Sequence, residues 1–153
     1  MYKKFSLLLG ALLLVAGCSI QQTVEPSSVS TGGELCIVEN SAVREGFLAE
    51  LQSSLAANGV HYKVLPANSS LVECEWTATY TARWTWDLAL YMSFAEIKVY
   101  RNGAPDGSAV YDSTRGGANM SKFIDAETKI RELVDQLLQK TALLKAIENE
   151  NAA

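Results

Sequence analysis

The sequence predicts an α+β domain, a two-layer sandwich in the order β-α-β-β-β-β-α with a mixed sheet and two helices on one face. Three observations predict it: a strand-helix-strand pattern over residues 35–64, a long alternating pattern over 72–100, and a helical pattern from about 121. A β-α-β unit makes its strands parallel and short turns make strands antiparallel, so the sheet is mixed. A sheet with one apolar face needs helices over it.

The strand-helix-strand unit is read from three short patterns. Residues 35–38, Leu-Cys-Ile-Val, are apolar on both faces, as in a central strand. Apolar residues then recur at helical spacing from about 42 to 57, and Asn58-Gly59 ends the helix. Residues 60–64 alternate as a second strand, which Pro66 terminates.

The longest pattern predicts two paired strands and a short last one. Alternate residues of 72–84 are apolar or aromatic, which places them on one face: Val72, Cys74, Trp76, Ala78, Tyr80, Ala82 and Trp84. A turn near 85–87 leads to 88–100, where the apolar parity changes, so we predict a β-bulge near Ala95. Asn102-Gly103 and Asp106-Gly107 flank Pro105 and mark a hairpin loop before a strand at 109–111.

The C-terminal helix is predicted to begin near Ser121, after the break at Gly116-Gly117. Its apolar stripe consists of Phe123, Ala126, Ile130, Leu133, Val134, Leu137 and Leu138. We therefore predict a folded domain over residues 35–147 and a tail, 148–153, that frays.

The first seventeen residues have the layout of a secretory signal peptide. Lys3 and Lys4 precede an apolar run at 5–16, which is shorter than the roughly 20 residues that span a bilayer. Val15-Ala16-Gly17-Cys18 resembles the bacterial lipobox. This resemblance implies cleavage before Cys18, a diacylglycerol on its thiol and an acyl chain such as palmitate on its amine. Two or more acyl chains anchor a protein firmly.

The residue after the lipobox indicates where the protein is sorted. It is Ser19, whereas Asp at that position resembles the inner-membrane retention signal of Gram-negative bacteria. We therefore expect an outer-membrane lipoprotein with its domain in the periplasm. Residues 18–34 are polar and rich in Ser, Thr and Gly, which predicts a lipidated cysteine followed by a flexible tether.

The net charge excludes one class of partner, and the cysteine content predicts a disulfide. The whole chain has a net charge of −4, and signal-peptide cleavage removes Lys3 and Lys4, so the mature domain is acidic and suits no nucleic acid. With Cys18 acylated, Cys36 and Cys74 remain in an oxidising compartment, and we predict a disulfide between them. Two buried free thiols are the alternative. If the disulfide forms, the five strands are ordered 2-1-3-4-5 in the sheet.

The candidate contact residues are aromatic. All three tryptophans lie within residues 76–86. The parity of Trp76 and Tyr80 places them in the core, whereas Trp84 and Trp86 lie at the strand end and are the candidate ligand or partner contacts. His61 has no nucleophile or second metal ligand at useful spacing, so we assign no catalytic residue, metal site or cofactor.

The lipobox, the Trp-rich strand and the helix start at 121–130, Ser-Lys-Phe-Ile-Asp-Ala-Glu-Thr-Lys-Ile, together resemble the Sbal-type lipoproteins, a family of small proteobacterial lipoproteins. The resemblance covers nearly the whole chain. It implies an outer-membrane address and an α+β fold, and it brings no catalytic residues because the family has no assigned activity.

These patterns predict a non-catalytic binding or assembly module, held at the membrane through the lipid on Cys18 and docked to an envelope protein. A lipid- or glycan-binding carrier or sensor is the alternative, using the region of Trp84 and Trp86. The sequence does not predict an oligomeric state.

Overall fold

The computed structural model describes the backbone of residues 19–151 and the side chains of residues 19–138. It has a six-stranded mixed sheet and two α-helices, so the predicted α+β class is confirmed. The strands are β1 (Gln21–Glu25), β2 (Glu34–Val38), β3 (His61–Leu65), β4 (Trp76–Asp87), β5 (Ala89–Arg101) and β6 (Ala104–Asp112). The helices are α1 (Glu45–Ala57) and α2 (Ala126–Asn151), with a short 3-10 helix at Met120–Phe123.

The sheet is ordered β1-β6-β5-β4-β2-β3. Without β1, this is the predicted order of the five expected strands. The central strand β2 is buried and pairs in parallel with both β3 and β4, and α1 makes the crossover from β2 to β3. The parallel β-α-β unit is therefore confirmed.

Both helices pack on one face of the sheet and against each other. The ring of Phe47 from α1 stacks on Tyr80 from β4, with ring centroids 5.2 Å apart. From α2, Ile130, Leu133 and Leu137 are buried in the same core, as the helical stripe predicts. The backbone of α2 is helical through Asn151, and the expected fraying of 148–153 stays a prediction.

The strand predicted to begin at Val72 begins at Trp76 instead. Val72 lies before it and is strongly exposed, so its matching parity was misleading. Cys74 belongs to the segment between β3 and β4 and forms a disulfide with Cys36 of β2, with the two Cα atoms 6.2 Å apart. The disulfide ties this segment to the central strand and holds Cys74 beside β2 although Cys74 belongs to no strand.

The hairpin of β4 and β5 differs from the prediction at its turn and confirms its bulge. The strand continues through the predicted turn at 85–87 to Asp87, and the chain reverses at Leu88. Arg83 pairs with Phe94 and Trp84 with Met92, so Ser93 is the extra residue, two positions before the predicted bulge.

The predicted flexible tether at 18–34 is wrong for most of its length. Residues 21–25 form the edge strand β1, antiparallel to β6, with Gln21 opposite Asp112. Further along, Ser27 and Val29 are buried. The prediction failed because Gln-Gln-Thr-Val-Glu has one apolar residue and so no apolar alternation, and the strand depends on pairing with a distant strand.

Candidate functional site

The β4–β5 hairpin ends in an exposed apolar tip, which we define as Trp86, Leu88 and Leu90. Trp86 and Leu90 are cross-strand partners. These side chains are 70%, 80% and 53% exposed, respectively. Large apolar side chains clustered at such exposure, outside a core, are typical of a contact surface.

The turn residue Leu88 violates two ordinary preferences at once. Its φ is +62°, in the left-handed region, where a leucine costs roughly 1–2 kcal/mol relative to its usual conformation. Glycine or asparagine normally occupies such turns. Leu88 also gains no burial in return. Strain and apolar exposure at one position favour a functional role over a folding role.

The base of the tip is held by the 3-10 helix. Tyr91 packs edge-on against Phe123, with ring centroids 5.2 Å apart. The buried Lys122 ammonium donates to the Asp87 carboxylate and, at 2.6 Å, to the carbonyl oxygen of Gly117. Because Asp87 adjoins the turn, these contacts hold the tip in place. Met120, also strongly exposed, begins the same short helix.

Trp84, the second candidate contact, is half-buried beside the tip. Arg44 is the residue before α1, and its guanidinium lies over the Trp84 ring, 5.5 Å from the ring centroid. Trp84 also lines an open cleft of ≈ 380 Å³ with Leu90, Tyr91 and Phe123. The cleft is aromatic but wide, so it can receive an apolar group without enclosing it.

The N-terminal strand is fastened to helix α2 by a polar network centred on Gln22. The Gln22 amide nitrogen donates to Glu132 Oε1 at 2.8 Å and to Gln136 Oε1 at 3.0 Å. The Lys129 ammonium donates to Gln22 Oε1 at 3.0 Å and to Glu132 Oε2 at 2.6 Å. The hydrogen bond from Lys129 is the main reason that the pKa of Glu132 is lowered. These hydrogen bonds tie the beginning of β1 to α2.

The start of β1 and the apolar tip lie at the same end of the sheet. Gln21 pairs with Asp112, and Asp112 pairs with Phe94, so these three residues lie side by side in one row across the sheet. The β4–β5 hairpin continues beyond this row to the tip. Because β1 and β6 are antiparallel, and so are β6 and β5, β1 runs in the direction of β5. Tracing the chain backwards from Gln21 therefore leads toward the tip.

The other predicted residues fall as follows. Tyr80 is in the core, as expected, whereas Trp76 is half-buried under the Arg101 guanidinium, 5.1 Å from its ring centroid. His61 is exposed on the edge strand β3. Cys18 and the signal peptide at 1–17 lie outside the described residues. Within the described residues, no group of His, Cys, Asp or Glu could hold a metal ion.

Sequence reasoning identified Trp86 but missed Leu88 and Leu90, which it placed on a sheet face. Their exposure arises because β4 and β5 continue past the row where β6 ends, at Phe94. One sequence signal was available: residues 86–90, Trp-Asp-Leu-Ala-Leu, contain the turn but no Gly or Asn.

Comparisons with known proteins show similarity of fold. No family model and no curated protein matches the chain. Two solved structures of the PelC dodecamer from Paraburkholderia phytofirmans resemble it. The first, a point variant in space group C2, has a TM-score of 0.51 and 12% identity over 78% of this chain and 97% of that chain. The second, in space group P6, has a TM-score of 0.50 and 11% identity over 78% and 95%.

A minor lipoprotein from Acinetobacter baumannii matches at a TM-score of 0.26 and 17% identity over 75% of this chain and 94% of that chain, which is too low to support an argument. Within residues 19–151, no helix is long and apolar enough to cross a membrane. The chain therefore shares an α+β fold with PelC.

Proposed function

We propose that this chain is a lipid-anchored, non-catalytic assembly module at the periplasmic face of a bacterial outer membrane. The lipobox-like residues 15–18 supply the anchor, and Ser19 supplies the address. We also propose that the chain is related to the Sbal-type lipoproteins, which its sequence resembles. The domain then works by docking other envelope proteins, its own copies first among them.

The attachment of β1 is the observation that carries the proposal. The strand begins at Gln21, three residues after Cys18, so the Cα atoms of the two residues are at most about 11 Å apart. The Gln22 network fastens this strand to α2. A domain bound so tightly to its lipidated residue stays at the membrane surface in a restricted orientation, which suits assembly beside neighbours.

In the part of the chain that the structure describes, the sheet ends at β1 and β3, and these two edge strands offer a means of assembly. An exposed edge can pair with a strand of another chain. Pairing β1 of one copy with β3 of the next is a head-to-tail contact, which closes into a ring when the rotation allows. The PelC structures that share this fold are dodecamers, which supports assembly from repeated copies of the chain.

Photocrosslinking in cells tests the assembly. A photoreactive residue at Thr23, exposed on β1, and another at Tyr62, 41% exposed on β3, should each yield a product of twice the chain mass. Val72, exposed but on neither edge, is the matched control and should yield none. A monomeric native mass of the purified lipoprotein, with no dimer product at Thr23 or Tyr62, would contradict assembly through the edges.

Fractionation tests the anchor separately. Cys18→Ser should release the protein from the membrane fraction, since the proposed attachment is the lipid rather than a charged patch. A mutant protein that still sediments with membranes after a salt wash would show that the lipobox interpretation is wrong.

A lipid- or glycan-binding carrier is the second candidate, and the cleft beside Trp84 favours it. Its lining of Trp84, Tyr91 and Phe123 could stack on a sugar ring or hold an acyl chain. Saturable quenching of tryptophan emission by a muropeptide or a short-chain phospholipid, lost in Trp84→Ala, would favour this function over assembly.

A further inference from the structure

We propose that the apolar tip, Trp86, Leu88 and Leu90, inserts into the interface of the bilayer that holds the lipid of Cys18, and so fixes the orientation of the domain on the membrane. The inference rests on the proposed anchor and adds a second, non-covalent membrane contact. Its occupant is the phospholipid surface.

The position of the chain start identifies that surface. Cys18 precedes Gln21 by three residues, and Gln21 lies two strands away from Phe94, roughly 10 Å across the sheet. From Phe94 the hairpin extends six residues to Leu88, roughly 20 Å at the strand rise. An anchor at this end therefore brings the bilayer within reach of the tip.

The composition of the tip suits a bilayer interface. A tryptophan at the edge of an apolar group is typical of residues at the headgroup level, where its ring is apolar and its N–H is hydrated. The strained, exposed Leu88 is then explained, because it becomes buried when the tip enters the acyl region. Asp87, the one acidic residue of the turn, is paired with the Lys122 ammonium.

Basic groups lie behind the tip at the same end, although the chain as a whole is acidic. The Arg44 guanidinium covers Trp84, and the Arg83 guanidinium lies 4.7 Å from the ring centroid of Phe94. Hydrogen bonds from Thr114, together with the nearby charges of Arg83 and Arg115, lower the pKa of Asp112, the last residue of β6. When the tip is inserted, arginines behind it can contact headgroup phosphates while the apolar side chains of the tip lie deeper in the bilayer.

A site-specific label on the lipidated, full-length protein tests the insertion. Because Cys36 and Cys74 are paired and Cys18 would carry lipid, Leu88→Cys supplies one thiol for an environment-sensitive fluorophore. Val72→Cys is the matched control. Val72 is 66% exposed and faces the Gly103 turn, at the other end of β5 and roughly 40 Å from the tip.

The labelled proteins are reconstituted on vesicles of phosphatidylethanolamine and phosphatidylglycerol. We expect a severalfold rise in emission and a blue shift at position 88, and neither at position 72. No change at position 88, or an equal change at both positions, would overturn the insertion. Co-sedimentation of the same samples reports the lipid anchor independently, so failure of the anchor and failure of the insertion are distinguishable.

Discussion

At each end of the sheet a tight turn requires a positive φ, and the two turns meet this requirement with different residues. At one end, β5 turns into β6 through Asn102-Gly103, with φ values of +50° and +81°. At the other, β4 turns into β5 through Leu88 at φ +62°. Asparagine and glycine adopt the left-handed conformation at little cost, whereas leucine does not. The first turn therefore serves folding, and the second indicates a selected contact.

The surroundings of the two turns differ in the same sense. Near Asn102, the Arg101 guanidinium pairs with the Glu75 carboxylate. The Asn102 N–H donates to the carbonyl oxygen of Glu75, and the preceding residue, Cys74, is tied to β2 by the disulfide with Cys36. Around Leu88, by contrast, the large apolar side chains of Trp86, Leu88 and Leu90 are exposed. One end of the sheet is thus stabilised by a disulfide and an ion pair, whereas the other end leaves large apolar side chains exposed, as our proposed membrane contact requires.

The largest expected effect concerns the disulfide, which closes a loop over a sequence separation of 38 residues. Replacing both Cys36 and Cys74 by alanine should lower the free energy of unfolding by roughly 3–4 kcal/mol, because the unfolded chain gains entropy. Chemical denaturation of the wild type and the double variant measures it. An equal denaturation midpoint for the two proteins would mean that the bond contributes nothing to the stable end.

A leucine in the stable turn should be costly. Asn102→Leu places a leucine at φ +50°, so we expect a loss of about 1–2 kcal/mol in the free energy of unfolding. Thermal or chemical unfolding measures the loss. A variant as stable as the wild type would show that positive φ is inexpensive in these turns, and the argument from Leu88 would lose its basis.

The reverse substitution, at Leu88, tests the strain in the other turn. Leu88→Asn should raise the free energy of unfolding by about 0.5–1 kcal/mol, because asparagine tolerates the left-handed conformation. In the same variant the tip should insert less into vesicles, so brominated phospholipids should quench its tryptophan emission less than that of the wild type. A variant that loses stability while keeping its lipid contact would reverse our interpretation of the tip.

The smallest effect is a pH dependence at the stable end. Burial raises the pKa of Asp106, but hydrogen bonds from the Ser27 and Ser28 hydroxyls and the Ser28 N–H outweigh it, so the pKa is lowered. A lowered folded-state pKa stabilises the fold above the ordinary Asp value, and this stabilisation is lost as pH falls through the folded value.

Asp106→Asn should therefore be less stable than the wild type near neutral pH, and the difference should shrink between about pH 5 and pH 2. Urea denaturation at a series of pH values measures it. A difference that stays constant across this range would contradict a role for the ionised carboxylate.

Much of the fold could be predicted because its signals are local. The alternation along β4, the apolar run of β2 and the helical stripe of α2 each occur within one element. Strand β1 could not be predicted in this way, since its residues are polar and its stability comes from β6 and from the Gln22 network. Pairing with a strand about 90 residues away leaves no local pattern.

The candidate site was predictable only in part for a related reason. Trp86 was recognised by its residue type at a strand end, but the exposure of Leu88 and Leu90 depends on where the neighbouring strand β6 stops. The position of the chain start relative to the tip likewise depends on β1. The sequence therefore predicted an anchor and aromatic residues, and the structure places the described residues nearest the anchor at the same end as the tip.

Contact between the tip and the lipid bilayer can be measured at Trp86 itself, by the quenching of its emission by brominated phospholipids in vesicles that carry the lipidated protein. We predict that bromine in the acyl chains quenches the wild type strongly, and that Trp86→Phe loses most of that quenching while Trp76 and Trp84 remain as background. Equal quenching of the wild type and Trp86→Phe would contradict the account, because Trp86 would then lie away from the membrane.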